Sequence, residues 1–488
     1  AKQAFLSAID KGKIKARIKA GMPTASERQK DVDTLLSGPK RHEPKQVAEA
    51  GDQHSCGCLK SAGLKSGGLS VDAAFLRRVS LDLVGTLPTS SEVEAFLKNT
   101  SPEKRRRKVE ELLESPAYAA WWATRLCDFT GNNDDVLNNV VPSRKRRASQ
   151  DWYDWLQHRV ANNTPYDKIV EGLVMATSRD KGENFKDFST SMSGLYQEET
   201  AEKFADREGM PYFWARRNFR KPEERAIGFA YTFLGIRIQC AQCHNHPFDR
   251  WTMDDYYSFA SFLSQIGRKN AEDPGEVIVF NRRSGDVKHP VGGRTMTPKF
   301  LGGAAPEITR AQDRRAVLAT WLASADNPFF APNLANIIWA HFFGIGTIEP
   351  VHDVRVSNPA SNPELLAALA KRFTEYNYDF KRLVYDICTS RTYQLATRTN
   401  ESTAEDTLNF AHGRIRRLRA EVLLDVITQV TQTKNKFKGL PLGARAVQIA
   451  DGNVGNYFLT TFGRATRETV CSCEVKMEPS LSQALHLI

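Results

Sequence analysis

From residue 70 onward apolar positions recur at three- and four-residue spacing, the period of a helix with one face against a core. Phe75, Leu76, Val79 and Leu83 share one such face, which predicts a helix over Ala73–Leu83 capped by Asp72. Gly85-Thr-Leu-Pro88 ends it, and Thr89-Ser-Ser-Glu92 is a capping-box pattern that opens Val93–Leu97. Ser101-Pro-Glu103 starts a helix through Leu113, and Ser115-Pro116 leads into Tyr118–Asp128 with Trp121 and Trp122. Asp151–Val160 places Trp152, Trp155 and Leu156 at helical spacing, an arrangement that reads as core. Thr164-Pro-Tyr-Asp167 begins another helix, and Ser178–Glu208 reads as loop-rich.

Lys221-Pro222-Glu-Glu224 is a further helix start, with proline in the first turn. The apolar run Ala226–Ile238 follows, and then Asp254–Leu263 as an aromatic helix packing over what lies between. Residues 267–305 are rich in Gly and Pro with a β-like fragment, Val277–Phe280, and are expected to form a linker or small hairpin. Helical periodicity returns in Ala316–Leu322, Leu334–Phe343, Pro363–Phe373, Phe380–Cys388 and Ala420–Val430, with Ser361 or Asn362 capping the third of these. The expected architecture is mainly α. An irregular basic arm (1–69) precedes one helical domain (70–266), a partly β linker (267–305) and a second helical domain (306–488).

The chemistry concentrates between the apolar run and the aromatic helix. Cys240-Ala-Gln-Cys243-His244-Asn-His246-Pro-Phe-Asp249-Arg250-Trp251 places two thiols, two imidazoles and a carboxylate within ten residues. Cys-x-x-Cys-His is the form of a c-type haem attachment site. Two thiols three positions apart reach the vinyl groups on one porphyrin edge, and the following histidine ligates iron from the proximal side. Histidine is 10 of 488 residues, so it follows a given C-x-x-C by chance only about one time in fifty. Eight cysteines are present, six of them in close pairs: Cys56/Cys58, Cys240/Cys243 and Cys471/Cys473. Close pairs in a large chain point to metal or redox sites more than to a disulfide scaffold. Cys127 and Cys388 stand alone in apolar helical patterns and are expected in the core.

A net charge of +11 and three basic runs, Lys104–Lys108, Arg144–Arg147 and Arg414–Arg419, widen the range of partners. Solvated helix faces are the simpler expectation for these runs, and acidic residues interleave with the first. No nucleic-acid motif accompanies them, which makes nucleic acid an unexpected partner. No apolar run is long enough to span a membrane.

Phe75-Leu-Arg-Arg-Val-Ser-Leu-Asp-Leu-Val-Gly-Thr-Leu-Pro88 and Gln239–Trp251 together resemble the planctomycete cytochrome-like domain. Asn336-Ile-Ile-Trp-Ala-His-Phe-Phe-Gly344, Ser361–Leu366, Ser390-Arg-Thr-Tyr-Gln394, Val470-Cys-Ser-Cys-Glu474 and Pro479–Leu485 resemble its usual partner, planctomycete-specific domain one. The resemblance covers roughly residues 70 to 488. It implies a bacterial protein exported to the periplasm or cell envelope and brings no established activity. The arm with Cys56 and Cys58 is not part of this resemblance.

Three functions follow as expectations. The first is a c-type haem protein in electron transfer or redox chemistry. Haem c would be held by Cys240, Cys243 and His244, and a redox partner protein would be needed. His246 is too near His244 to be the second axial ligand, which leaves His289, His341, His352, His412, His486 or Met253. Asp249 and Arg250 would support the site. The second is a zinc or iron site. It would use Cys240, Cys243, Cys471 and Cys473 as a structural thiolate set, or His244, His246 and Asp249 as an open set. The third is a structural or binding protein of an envelope complex that holds an acidic polymer or partner on its basic surface. No catalytic residue can be named.

Overall fold

The computed structural model describes residues 59, 62–137, 147–190, 202–270, 277–282, 284–470 and 474–487. The arm through Cys58, residues 144–146 of the second basic run, and Cys471 and Cys473 lie outside these. The described residues, from Leu59 on, fall within one compact unit. Among the described residues there are nineteen α-helices and two strands, so the chain is mainly α. No described helix is long and apolar enough to cross a membrane.

The helices of eight residues or more in the first half are α1 (Asp72–Val84), α2 (Ser90–Lys98), α3 (Lys104–Leu113), α4 (Pro116–Thr130), α5 (Ala148–Ala161), α6 (Tyr166–Val174), α7 (Pro222–Phe229) and α8 (Met253–Ala260). Those in the second half are α9 (Arg314–Leu322), α10 (Phe330–Phe343), α11 (Pro363–Glu375), α12 (Phe380–Thr389) and α13 (Ala420–Thr431). Most begin where the sequence places a start signal. Thr89 and Glu92 form a reciprocal capping box on α2, Ser115 caps α4, and Asn362 caps α11. Helix α1 differs. Val71 occupies the cap position with no side-chain bond, and Asp72 lies in the first turn. Asp72 instead pairs with Lys104 at 2.6 Å and Arg105 at 2.8 Å. Residues 185–190 and 202–205, expected as loop, are helical.

Two helices are buried almost all round, as helices at the centre of a large core must be. Every residue of α4 from Tyr118 to Thr130 is buried. Helix α10 buries all but three of its fourteen residues. They meet where the Trp122 and His341 rings lie tilted against each other, 4.8 Å between centres, with Phe342 6.2 Å from Trp122. Both helical regions therefore contribute to a single core. A satellite core of Ala420, Leu424, Phe437, Ala446, Ile449, Leu459 and Phe462 lies beside it near the C-terminal end. Cys127 and Cys388 are buried as expected.

The strands Ile266–Asn270 and Val277–Asn281 pair antiparallel, with Gly267 opposite Phe280. This is the hairpin expected in the Gly/Pro-rich segment. Ser178 fixes it to the chain beyond α6, donating its N–H to the Val279 carbonyl at 2.9 Å and accepting the Val279 N–H at 2.8 Å.

Polar groups enter this interior in an uneven ratio. Asp128, fully buried on α4, accepts from Arg419 at 2.6 Å and Arg467 at 2.8 Å, and Arg125 lies 3.4 Å away. Several other arginines bracket main-chain carbonyls, Arg225 and Arg268 with no carboxylate partner among the described residues and Arg464 while also lying 3.4 Å from the buried Glu421 carboxylate. Arg225 bonds the carbonyls of Phe219, Arg220, Leu263 and Ile266. Arg464 bonds those of Ile449, Asp451 and Gly452, and Arg268 those of Ala215 and Arg216. Burial lowers the Arg225 pKa to about 10, still well above neutrality.

Candidate functional site

The C-x-x-C-H segment is presented by a helix that stops abruptly. Helix α7 opens with the Glu224 carboxylate accepting from the N–H groups of Arg220 and Lys221 at 2.8 and 3.0 Å. It widens into a π-turn over Ala230–Leu234 and ends at Gly235, whose φ of +69° is left-handed. Ile236 and Ile238 then anchor the chain in the core. A 3-10 turn, Gln239–Gln242, lifts Cys240 to the surface.

Gly235 tolerates no side chain. A Cβ there would lie 2.5 Å from Asn333 Oδ1 and 3.0 Å from Val354 Cγ2. Gly235→Ala is expected to cost about 1–3 kcal/mol from the left-handed backbone and the overpacking together. A thermal melt checks it, and an unchanged midpoint would show that the turn is not fixed by this contact.

Cys240 and Cys243 are both exposed and free thiols. His244 is exposed, and its Nδ1–H donates to the Asn245 carbonyl at 2.8 Å. That leaves Nε2 with the lone pair in the neutral ring. The chain turns back at once. His246 donates its N–H to the Trp251 carbonyl at 2.7 Å, and Trp251 is buried against Phe329 with Arg250 over its ring. Thr252 and Asp255 form the capping box of α8. That helix packs on the cysteine turn as expected, with the Tyr257 phenol donating to the Gln242 carbonyl at 3.0 Å.

His246 differs from His244. It is buried, its Nδ1 accepts the Phe248 N–H at 3.2 Å, and its ring also bonds the Arg237 backbone. Burial lowers its pKa, against the opposing charge of Asp249, so it is a neutral structural bracket. Burial raises the Asp249 carboxyl, and the Arg250 N–H and charge pull it back. Asp249 accepts that N–H at 2.8 Å. Among the described residues no three His, Cys, Asp or Glu side chains gather as a metal-holding group. His244, His246 and Asp249 are thus not brought together as a preformed open set. The four-thiolate set includes Cys471 and Cys473, outside the described residues.

The candidate axial ligands are dispersed. His289 lies against Tyr257 at 5.4 Å between rings, with Nε2 3.3 Å from Asp254. Met253 begins α8, its N–H bonded to Asn245 Oδ1 at 3.3 Å. These two lie on or against the helix that covers the cysteine turn. His352 is buried beside Tyr231, and burial lowers its pKa to about 4. His341 is in the central core, His412 bonds the carbonyls of Gly413 and Asp406, and His486 packs on Phe458.

A second polar centre has no motif of its own. Asp82 on α1 accepts Arg416 Nη2 through both oxygens at 2.8 and 2.7 Å and the Tyr393 phenol at 2.8 Å. Its carbonyl accepts from Trp121 and His341. The third basic run, expected as a helix face, is thus an open segment before α13 with Arg416 and Arg419 turned to buried carboxylates.

Residues 52–268 match the PSCyt2 family and residues 314–488 the PSD1 family, both described as proteins of unknown function (DUF1549 and DUF1553). This chain is a PSCyt2–PSD1 protein. The order is that of the cytochrome-like domain followed by planctomycete-specific domain one. The PSCyt2 region contains the whole cysteine turn and, starting at residue 52, also takes in Cys56 and Cys58, which the resemblance from residue 70 leaves outside; the PSD1 region contains α10, Tyr393 and Arg416. No curated protein and no solved structure matches the chain.

Proposed function

We propose that this PSCyt2–PSD1 protein is an exported c-type haem protein, with haem attached through Cys240 and Cys243 and ligated by His244. The observation that carries the reading is the state of the three donors. Both thiols are exposed and free, and His244 is exposed with Nδ1 tied to a carbonyl, which leaves Nε2 as the ligating nitrogen. A proximal histidine is oriented by such a bond. The donor set fits the group, whereas the residues offered for an open zinc or iron set are separately engaged. Haem held by these exposed residues would supply one-electron chemistry for exchange with a redox partner. His289 and Met253, on or against the helix that covers the cysteine turn, would be the candidates for a second ligand.

The test is an absorption spectrum of the chain made in a host competent for haem attachment, taken native and then in alkaline pyridine with dithionite. A Soret and α-band that stay with the protein through acid-acetone extraction are expected. Cys240→Ala/Cys243→Ala should lose them, and Cys471→Ser should not. A colourless chain holding about one zinc, released by Cys471→Ser, would replace the haem reading with the thiolate staple.

A further inference from the structure

A cleft of about 1290 Å³ opens between the PSCyt2 and PSD1 regions, bounded by residues 67–82 on one side and 396–422 on the other. Eight arginines line it, against two carboxylates, Asp82 and Glu349. Asp82 is already paired with Arg416. At the rim, Arg77 and Arg398 are exposed and make no hydrogen bond or ion pair with a described residue. On the floor Arg125 is buried, shares Asp128 with two nearer arginines, and has an Nε with no partner. The charges of Arg77 and Arg398 thus have no carboxylate partner among the described residues.

Two features give the occupant its shape. Residues 414–418 run along the cleft with no helix or ladder, and their main-chain N–H groups find no partner among the described residues. Such a segment can pair with an added extended chain. Beside it stand aliphatic side chains in water, Ile415 at 91% and Val71 at 71% exposure. The one aromatic ring in the lining that a sugar would stack on, Trp121, is buried.

We infer that this cleft docks an extended peptide segment of a partner protein rich in Asp or Glu alternating with aliphatic residues. Carboxylates would meet Arg77, Arg398 and Arg125, the backbone would pair with 414–418, and aliphatic side chains would cover Ile415 and Val71. Charge excludes the nearer alternatives. Residues 1–58 carry eleven Lys and Arg against seven Asp and Glu, and a second copy carries +11. The inference is independent of haem.

The test uses the full chain and a fluorescent peptide alternating Glu with Leu or Val, read by anisotropy. Saturable binding that weakens with added salt is expected. Arg77→Glu/Arg398→Glu should weaken it at least about tenfold, and Ile415→Ser should weaken it too. Arg77 and Arg398 are exposed and unpaired, so this variant keeps the fold, as circular dichroism will verify. A photoreactive group on the peptide should cross-link to 414–418. Equal binding by wild type and the charge-reversed variant, or no binding, overturns the inference. Binding of sulfated dextran in preference to the peptide, untouched by Ile415→Ser, also overturns it and marks a polymer site.

Discussion

Asp128→Ala should lower the unfolding free energy by about 3–5 kcal/mol, the cost of leaving buried charges without their counter-ion. The carboxylate sits at zero exposure between Arg419 and Arg467, with Arg125 behind it. Asp128→Asn fills the same volume and should lose nearly as much, because the missing element is charge. Removing Arg467 together with Asp128 should recover part of the loss, a coupling that a double-mutant cycle in urea measures. Additive losses would show that the pair does not interact. Burial alone would raise the Asp128 pKa, but Arg419, Arg467 and Arg125 outweigh it and hold the value at about 2. A carboxylate depressed in the fold stabilises above its unfolded pKa, ordinarily about 3.9, and loses that contribution as pH falls through 2. Stability should therefore drop between about pH 4 and pH 2 in the wild type, and this drop should be shallower in Asp128→Asn.

The second large effect is expected at Asp82. It receives Arg416, Tyr393, Trp121 and His341, and so ties α1 and α4 to α10 and the segment before α13. Asp82→Ala strands a guanidinium and a phenol and should cost about 2–4 kcal/mol. Tyr393→Phe removes one bond and should cost about 1 kcal/mol. Asp82→Asn, which keeps an acceptor for the phenol but drops the charge, should fall between them. Urea midpoints give the order. If Asp82→Ala and Tyr393→Phe unfold together, the Arg416 pair contributes nothing.

Both centres were invisible along the chain, for a common reason. Asp128 lies 291 and 339 positions from its two nearer partners, and Asp82 lies 334 from Arg416. Periodicity reports which face of a helix is apolar and says nothing of a charge meant for a distant segment. Signals confined to one turn were readable: the Thr89–Glu92 box, the Asn362 cap, the hairpin fragment at Val277–Phe280, and the cysteine turn with α8 over it. Asp72 shows the limit of such signals. It has the chemistry of a cap, but Lys104 and Arg105, a full helix away, draw it into ion pairs instead. The Arg414–Arg419 run failed similarly, because spacing cannot distinguish a solvated helix face from the wall of a cleft.

The carbonyl brackets of Arg225 and Arg268 change what the isoelectric point of this protein means. Their role needs planar N–H donors rather than a formal charge. Semisynthetic replacement by citrulline at those positions would carry the titration curve toward neutrality and leave most of the bracketing bonds in place. Lysine would preserve the curve and lose them, since an ammonium cannot reach several carbonyls in one plane. A fraction of the basicity of the chain is thus masonry. Electrophoretic mobility and ion-exchange retention will overstate how much of its surface is available to an anion.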